Sequence, residues 1–285
     1  MEDNHQAIRM IITDLDGTLL DMRRELSAEN HAALLACGQR GIRVVLASGR
    51  SFESVRRLAT QHGLDGPIAS VNGARVDLSP EGPLLYERPF THDLALRVFQ
   101  ILKRSEIYFT CYARGTLYKN NTFAAQDRKG GATRLEAQMA MQTHRAETVI
   151  ADESRTLAEG LLSPYKFVAF SEDMPKLHAL RHALESSELP LNVSSSWSDN
   201  IEVMPRNAGK DIALRALCDH FGIRPAHVMA FGDNLNDIDM LRAAGVAVAM
   251  DNALPNVKAH AHILAPHHDL SGFAHVLRKH ILCEK

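Results

Sequence analysis

The chain has 285 residues, 45% of them hydrophobic, and its 32 Lys and Arg against 34 Asp and Glu leave a formal net charge of −2. That length exceeds an ordinary single domain and predicts two, each with its own core. The near balance of charge excludes a polybasic surface for nucleic acid or anionic lipid, so any cation that meets a phosphate must be local. No apolar stretch approaches the roughly 18 residues that span a bilayer. The opening Met-Glu-Asp-Asn-His-Gln has neither the basic nor the apolar region of a secretory signal, and a cytoplasmic protein is expected. Cys37, Cys111, Cys218 and Cys283 are scattered with no C-x-x-C pair, which predicts reduced thiols and neither zinc nor redox chemistry.

In chain order, the apolar run 10–13 reads as a strand, and Ser27 caps a helix that stops at Gly41. The run 44–47 is a second strand, Ser51 caps a helix that stops at Gly63, and 67–71 is a third strand entering the turn Asn72-Gly73. Strand and helix alternation requires parallel crossovers, so the fold class is α/β with a doubly wound parallel sheet. After about Pro83 the rhythm changes. A helix is expected over 91–104, a hairpin over 107–112 and 116–120 around Ala113-Arg114-Gly115, then loop and helical stretches over 122–162. A strand over 165–170, a helix over 174–186 with Pro175 near its start, and strands over 191–196 and 200–204 complete an α+β insertion. From Asn207 alternation returns: a helix from Lys210 to Gly222, a strand to Gly232, a helix through Ala244, strands over 246–250 and 261–264, and a closing helix over 270–281. The expected division is a core of 1–83 with 205–285 and an insertion of 84–204.

Four segments carry reactive side chains: Asp14-Leu15-Asp16-Gly17-Thr18, Ser48-Gly49-Arg50, Lys210, and Gly232-Asp233-Asn234-Leu235-Asn236-Asp237. The first, second and fourth follow predicted strands directly, and the carboxyl ends of strands are where open α/β sheets place their sites. Each segment alone has a plain reading as a turn, a helix cap or a solvated lysine. Asp14, Asp16, Thr18 and Glu25 even mimic positions of a calcium loop, but Leu19 stands where that loop needs Gly and a strand precedes it. A strand order of 3-2-1-4-5 would set the ends bearing Asp14 and Asp233 side by side at the switch point. Carboxylates that converge there call for a cation, and hard oxygen ligands suit Mg²⁺.

Taken together in this order, the four segments resemble those of the haloacid dehalogenase-like superfamily of phosphatases, in its Cof-type branch with an inserted cap of the C2B type. The resemblance implies an Mg²⁺-dependent phosphatase of small phosphomonoesters working through an aspartyl phosphate. Asp14 would be the nucleophile and Asp16 the general acid/base. Ser48, the Gly49 amide, Thr18 and Lys210 would hold phosphate, with Thr18 otherwise orienting Asp16 or its loop. The metal would take Asp14, the Asp16 carbonyl and Asp233, with Asp237 direct or through water. Arg50 would reach the closed cap or pair on the surface, and Asn72 would touch substrate or only make its turn. Cap residues Tyr112, Arg114, Tyr118, Lys119 and Lys166 could meet the rest of the substrate. Sugar phosphates come first, pyridoxal phosphate or a flavin or nucleotide phosphate next. The alternatives are a phosphomannomutase-like phosphosugar mutase and a phosphate-sensing or partner-binding module without turnover. His260, His262, His267 and His268 are expected at the surface and not around a second metal, and Leu264 to Asp269 departs from the Thr- and Asn-rich loop of the family.

Overall fold

The structure, a computed structural model, describes residues 8–114, 116–120, 148–150, 157, 159–160, 162–196 and 198–283. Two compact units emerge, one of Met1–Tyr86 with Gly209–Lys285 and one of Glu87–Ala208.

In the first unit β1 (Met10–Thr13) is buried along its whole length and pairs in parallel on both sides. Its side chains alternate between two cores: Ile11 joins one, Met10 and Ile12 the other. Helix α1 (Ala28–Gln39) starts where Ser27 accepts from the Asn30 amide, and leads to β2 (Arg43–Ala47). Helix α2 (Phe52–Gln61) is capped in the same way by Ser51 and leads to β3 (Ile68–Ser70). A tight turn, Val71–Gly73, then reverses the chain into β4 (Arg75–Asp77), which runs antiparallel to β3, and β5 (Leu84–Glu87) follows.

The second unit contains α3 (His92–Arg104), β6 (Tyr108–Ala113), β7 (Thr116–Asn120), β8 (Thr148–Ile150), β9 (Pro164–Phe170), α4 (Met174–Glu185), β10 (Leu191–Ser194) and β11 (Asn200–Pro205). Its strands lie in the order β10-β11-β9-β6-β7-β8. Helices α3 and α4 cover one face, where Val98, Phe99, Leu102, Leu177 and Leu180 meet Phe109, Phe167, Ala169 and Ile201. The expected hairpin β6–β7 is present, and β8 adds a parallel partner to β7 inside the stretch expected as loop and helix. Most of that stretch, like the side chains of Tyr118 and Lys119, lies outside the described residues.

The chain then returns to the first unit through α5 (Lys210–Phe221), which ends at Gly222 in the left-handed region (φ 62°). β12 (Val228–Gly232), α6 (Ile238–Ala243), β13 (Val246–Met250), α7 (Pro255–Lys258), β14 (Ile263–Ala265) and α8 (Gly272–Leu277) follow. The completed sheet has the order β14-β13-β12-β1-β2-β3-β4-β5. Read from β3 to β13, this is the expected 3-2-1-4-5 arrangement, and β1 and β12 flank the reversal of order. Cluster residues from α1, α2 and α8 lie on one face and from α5, α6 and α7 on the other, so the sheet is doubly wound.

Phe231, on β12 just before Gly232-Asp233, has no solvent exposure and its ring lies 4.5 Å from that of Phe273. Phe231→Ala should destabilise the protein by about 3–5 kcal/mol, read as a lower midpoint in urea unfolding followed by circular dichroism.

Candidate active site

β1 and β12 run in parallel register, Thr13 beside Phe231, and the Asp14 amide donates to the Phe231 carbonyl at 3.0 Å. The next residues of the two strands are therefore neighbours, and Asp14 and Asp233 converge across more than two hundred residues of sequence. Lys210 enters from the first position of α5. Its side chain has no solvent exposure, and Nζ donates to Asp14 Oδ1 and to Asp237 Oδ1, both at 2.7 Å. The other oxygen of Asp237 accepts from the amides of Asp233 and Asn234, each at 3.0 Å. This carboxylate thus ties the loop after β12 to the lysine. Two glycines permit the crowding: a Cβ on Gly17, which has φ +82°, would stand 2.4 Å from Asp233 Oδ2, and one on Gly232 would stand 2.5 Å from the Asp237 Cβ.

Asp16 faces other partners. Arg50 forks onto it, with Nε 2.7 Å from Oδ2 and Nη2 2.5 Å from Oδ1, and Arg24 Nε lies 3.7 Å from Oδ1. Ser48, almost fully buried, accepts from the Arg50 amide at 3.2 Å. Its loop, which includes Gly49, is bound to the turn after β3 through Asn72 N to Ser48 O at 2.8 Å and Val71 N to Arg50 O at 2.9 Å. Asn236 Nδ2 donates to Asn72 Oδ1 at 3.2 Å, which joins this turn to the loop after β12.

Charge separates the carboxylates into two kinds. Burial raises Asp14 to about 7, with Lys210 opposing and Asp237 adding to the rise. Burial, then Asp14 and Asp237, push Asp233 well above the ordinary carboxylate value. Burial would also raise Asp16, but the bond and charge of Arg50, with Arg24, outweigh it and hold that carboxyl below its ordinary value. Oxygens of Asp14, Asp233 and Asp237 lie within 4.8 Å of one another. At that spacing each carboxylate pair repels by about 3–4 kcal/mol at an effective dielectric near 20, and one lysine cannot balance three such groups. A donor set of crowded oxygens with excess negative charge fits a hard divalent cation.

Asp14, Asp16, Thr18, Asp233, Asp237 and Lys210 are brought together as a group, and Ser48, Gly49, Arg50 and Asn72 border it. The structure gives several of these residues specific partners. Thr18, expected against phosphate, Asp16 or its own loop, is fully buried and donates to Asp233 Oδ1 at 2.6 Å. Arg50, expected at the cap or on the surface, is buried and bound to Asp16. In the second unit, Lys166 is a buried cation 3.2 Å from Glu202 and over the Tyr112 ring, and exposed Arg114 pairs with Glu87. His268, expected at the surface, is buried, and its Nδ1 lies 2.7 Å from the Leu20 carbonyl. Asn236 was legible only as a cap, yet its Oδ1 is buried with no hydrogen-bond partner among the described residues. Nothing local in sequence marks Arg24, which owes its place beside Asp16 to the path of the loop.

The profile of the haloacid dehalogenase-like hydrolases matches residues 11–277. The chain belongs to that family. It is similar to phosphatase YwpJ of Bacillus subtilis, with 29% identity over 96% of this chain and 100% of the relative, and to pyridoxal phosphate phosphatase YbhA of Escherichia coli, with 28% identity over 96% and 99%. A solved haloacid dehalogenase-like hydrolase of B. subtilis superposes with a TM-score of 0.84 at 29% identity, covering 96% of this chain and 99% of that one. The chain is a phosphoric monoester hydrolase of this family, and its relatives of the Cof type are phosphatases. Among the described residues no helix is long and apolar enough to cross a membrane.

The charge arrangement predicts a response to metal. A carboxyl raised in the folded state binds more protons there than when unfolded, so without metal the Asp14 contribution to stability falls as pH rises from 3.8 through about 7. A cation at the cluster must displace that proton at low pH. Added Mg²⁺ should therefore raise the thermal unfolding midpoint more at pH 8 than at pH 6, this difference should shrink in Asp14→Asn, and Asp233→Ala should abolish the Mg²⁺ shift, all read by scanning calorimetry.

Proposed function

We propose that the protein is an Mg²⁺-dependent phosphatase of small phosphorylated metabolites, with Asp14 as nucleophile and Asp16 as general acid/base. The observation that carries the reading is the division of labour between the two aspartates. Lys210 holds Oδ1 of Asp14 and leaves Oδ2 to attack, while Asp16 is turned to a separate pair of cations. Attack by Asp14 Oδ2 on phosphorus forms the Asp14–phosphorus bond as the bond to the leaving oxygen breaks, and Asp16 supplies the proton to that oxygen. Water then attacks the aspartyl phosphate, Asp16 takes its proton, and Asp14 and inorganic phosphate are released.

Asp14 and Asp233, with the Asp16 main-chain carbonyl, would hold the metal, and Asp237 would support it through Lys210 and the loop amides. A bound Mg²⁺ would supply charge neutralisation at the phosphoryl oxygens. Ser48 and the Gly49 amide would receive the phosphoryl group, and Lys210 would offset its charge. Because Arg50 and Arg24 hold Asp16 as an anion in the free protein, the acid step requires the arginine fork to loosen and Asp16 to take up a proton, from solvent or from the substrate's phosphate monoanion, as substrate enters; the water attack then returns a proton to Asp16.

Sugar phosphates lead the substrate classes, and pyridoxal phosphate stands next on the similarity to YbhA. The second unit would select among them. Phosphate release from a panel of such compounds with Mg²⁺ tests the assignment. Asp14→Asn should lower turnover at least about 10³-fold on every substrate while leaving the unfolding profile cooperative, and activity near wild type would overturn the covalent reading. Retention of the phosphoryl group on a sugar bisphosphate, in place of free phosphate, would point to a mutase.

A further inference from the structure

The segment that follows Asp16 is gripped by residues 235 to 248 positions further along the chain. Asn252, just after β13, donates to the Gly17 carbonyl at 2.7 Å and accepts from the His268 amide at 3.3 Å. His268, buried at 8% exposure, places Nδ1 2.7 Å from the Leu20 carbonyl. A carbonyl brings no proton, so Nδ1 carries it and donates. Asp269 Oδ1 accepts from the Met22 amide at 2.8 Å. Three main-chain groups between Gly17 and Met22 thus end on two loops, one after β13 and one after β14, which the bond from the His268 amide to Asn252 joins. Leu20 in turn forms a bridge with Asp16, and two residues past Met22 the chain takes up a left-handed turn (φ 64°) at Arg24, the second cation on Asp16.

His267, His268 and Asp269 could be read instead as a second metal cluster, since their donor atoms lie within 4.8 Å of one another. Their hydrogen bonds oppose that: His268 Nδ1 is committed to Leu20, His267 Nδ1 accepts from the Asp269 amide at 3.2 Å, and Asp269 is committed to Met22.

We propose that Asn252, His268 and Asp269 form a clasp that positions Asp16 for proton transfer, with His268 as its central positioning residue. The proposal rests on the acid/base role assigned to Asp16 above. Among the described residues, no hydrogen bond joins the side chains of Asn252, His268 or Asp269 to Lys210 or to the side chains of Asp14 and Asp233. Its loss should leave the attack on phosphorus in place and misplace the proton donor, and small misplacements of a reacting group are costly.

The test uses the full chain with Mg²⁺ and two kinds of substrate: p-nitrophenyl phosphate, whose leaving group needs little protonation, and alkyl phosphates, whose leaving group needs it fully. His268→Ala should lower kcat on alkyl phosphates by about 10-fold and on p-nitrophenyl phosphate by at most about 2-fold, with KM little changed. His268→Asn, whose amide nitrogen falls near the Nδ1 position, should restore most of the loss. If His268→Ala does not fold, His268→Gln, which fills the space but carries its amide too far out, has the same expected pattern. Equal losses on both substrates, or no rescue by His268→Asn, would overturn the clasp. Asp16→Asn run in parallel separates the two ideas: selective loss on alkyl phosphates there but not in the His268 variants rejects the clasp alone, and its absence in Asp16→Asn removes the acid/base reading together with the clasp.

Discussion

An ammonium group with no exposure to water, Lys210 Nζ, stands 2.7 Å from each of two carboxylates at the heart of the first unit. Burying such a charge costs several kcal/mol unless its partners are in place. Asp14 and Asp237 are those partners, and Asp233 adds a third carboxylate, so the ionised cluster sums to three negative charges and one positive, a net of −2. That excess is why burial and mutual repulsion lift Asp14 and Asp233 above the ordinary range. It is also why a divalent cation would complete the group. A core of this kind is held by its chemistry as much as by packing: Thr18 and the loop amides after β12 spend their hydrogen bonds on the same carboxylates.

Asp16, only two residues away, takes its hydrogen-bond partners from other cations. The arginine fork is its main stabiliser, with Lys210 adding to it from further off, and it stays anionic while Asp14 is pushed toward neutrality. Taken without a cation, the direction of this split is opposite to the assigned roles, since a nucleophile must be ionised and an acid must hold a proton; a divalent cation at the cluster would displace the Asp14 proton and leave that carboxylate free to attack. The sheet makes the split possible, since the segment after β1 supplies both aspartates while the loops after β2 and β12 and the start of α5 supply different partners to each.

The features legible in the sequence are those fixed locally. Ser27 and Ser51 cap helices as their side chains predict, Gly222 ends α5 in the left-handed region, and the apolar runs before Asp14, Ser48 and Asp233 became parallel strands in the expected order. Convergence of Asp14, Asp233, Asp237 and Lys210 followed from that order. What the sequence left hidden was the partner each polar side chain selects once distant segments meet. Thr18 turned to Asp233, Arg50 to Asp16, Lys166 to Glu202 and His268 to Leu20, choices that depend on contacts 34 to 248 residues apart. An isolated lysine or histidine reads as a surface residue because exposure is its commonest fate. Here burial was made tolerable by a partner that local sequence does not name.

The claim on which this account turns is that Asp14 Oδ2 is the atom that takes the phosphoryl group. A crystal structure of the protein grown with Mg²⁺ and beryllium fluoride, a mimic of an acyl phosphate, tests it directly. The account predicts a fluoroberyllate joined to Asp14 Oδ2, with Lys210 still on Oδ1. A fluoroberyllate carried by Asp16, Asp233 or Asp237 instead would contradict it.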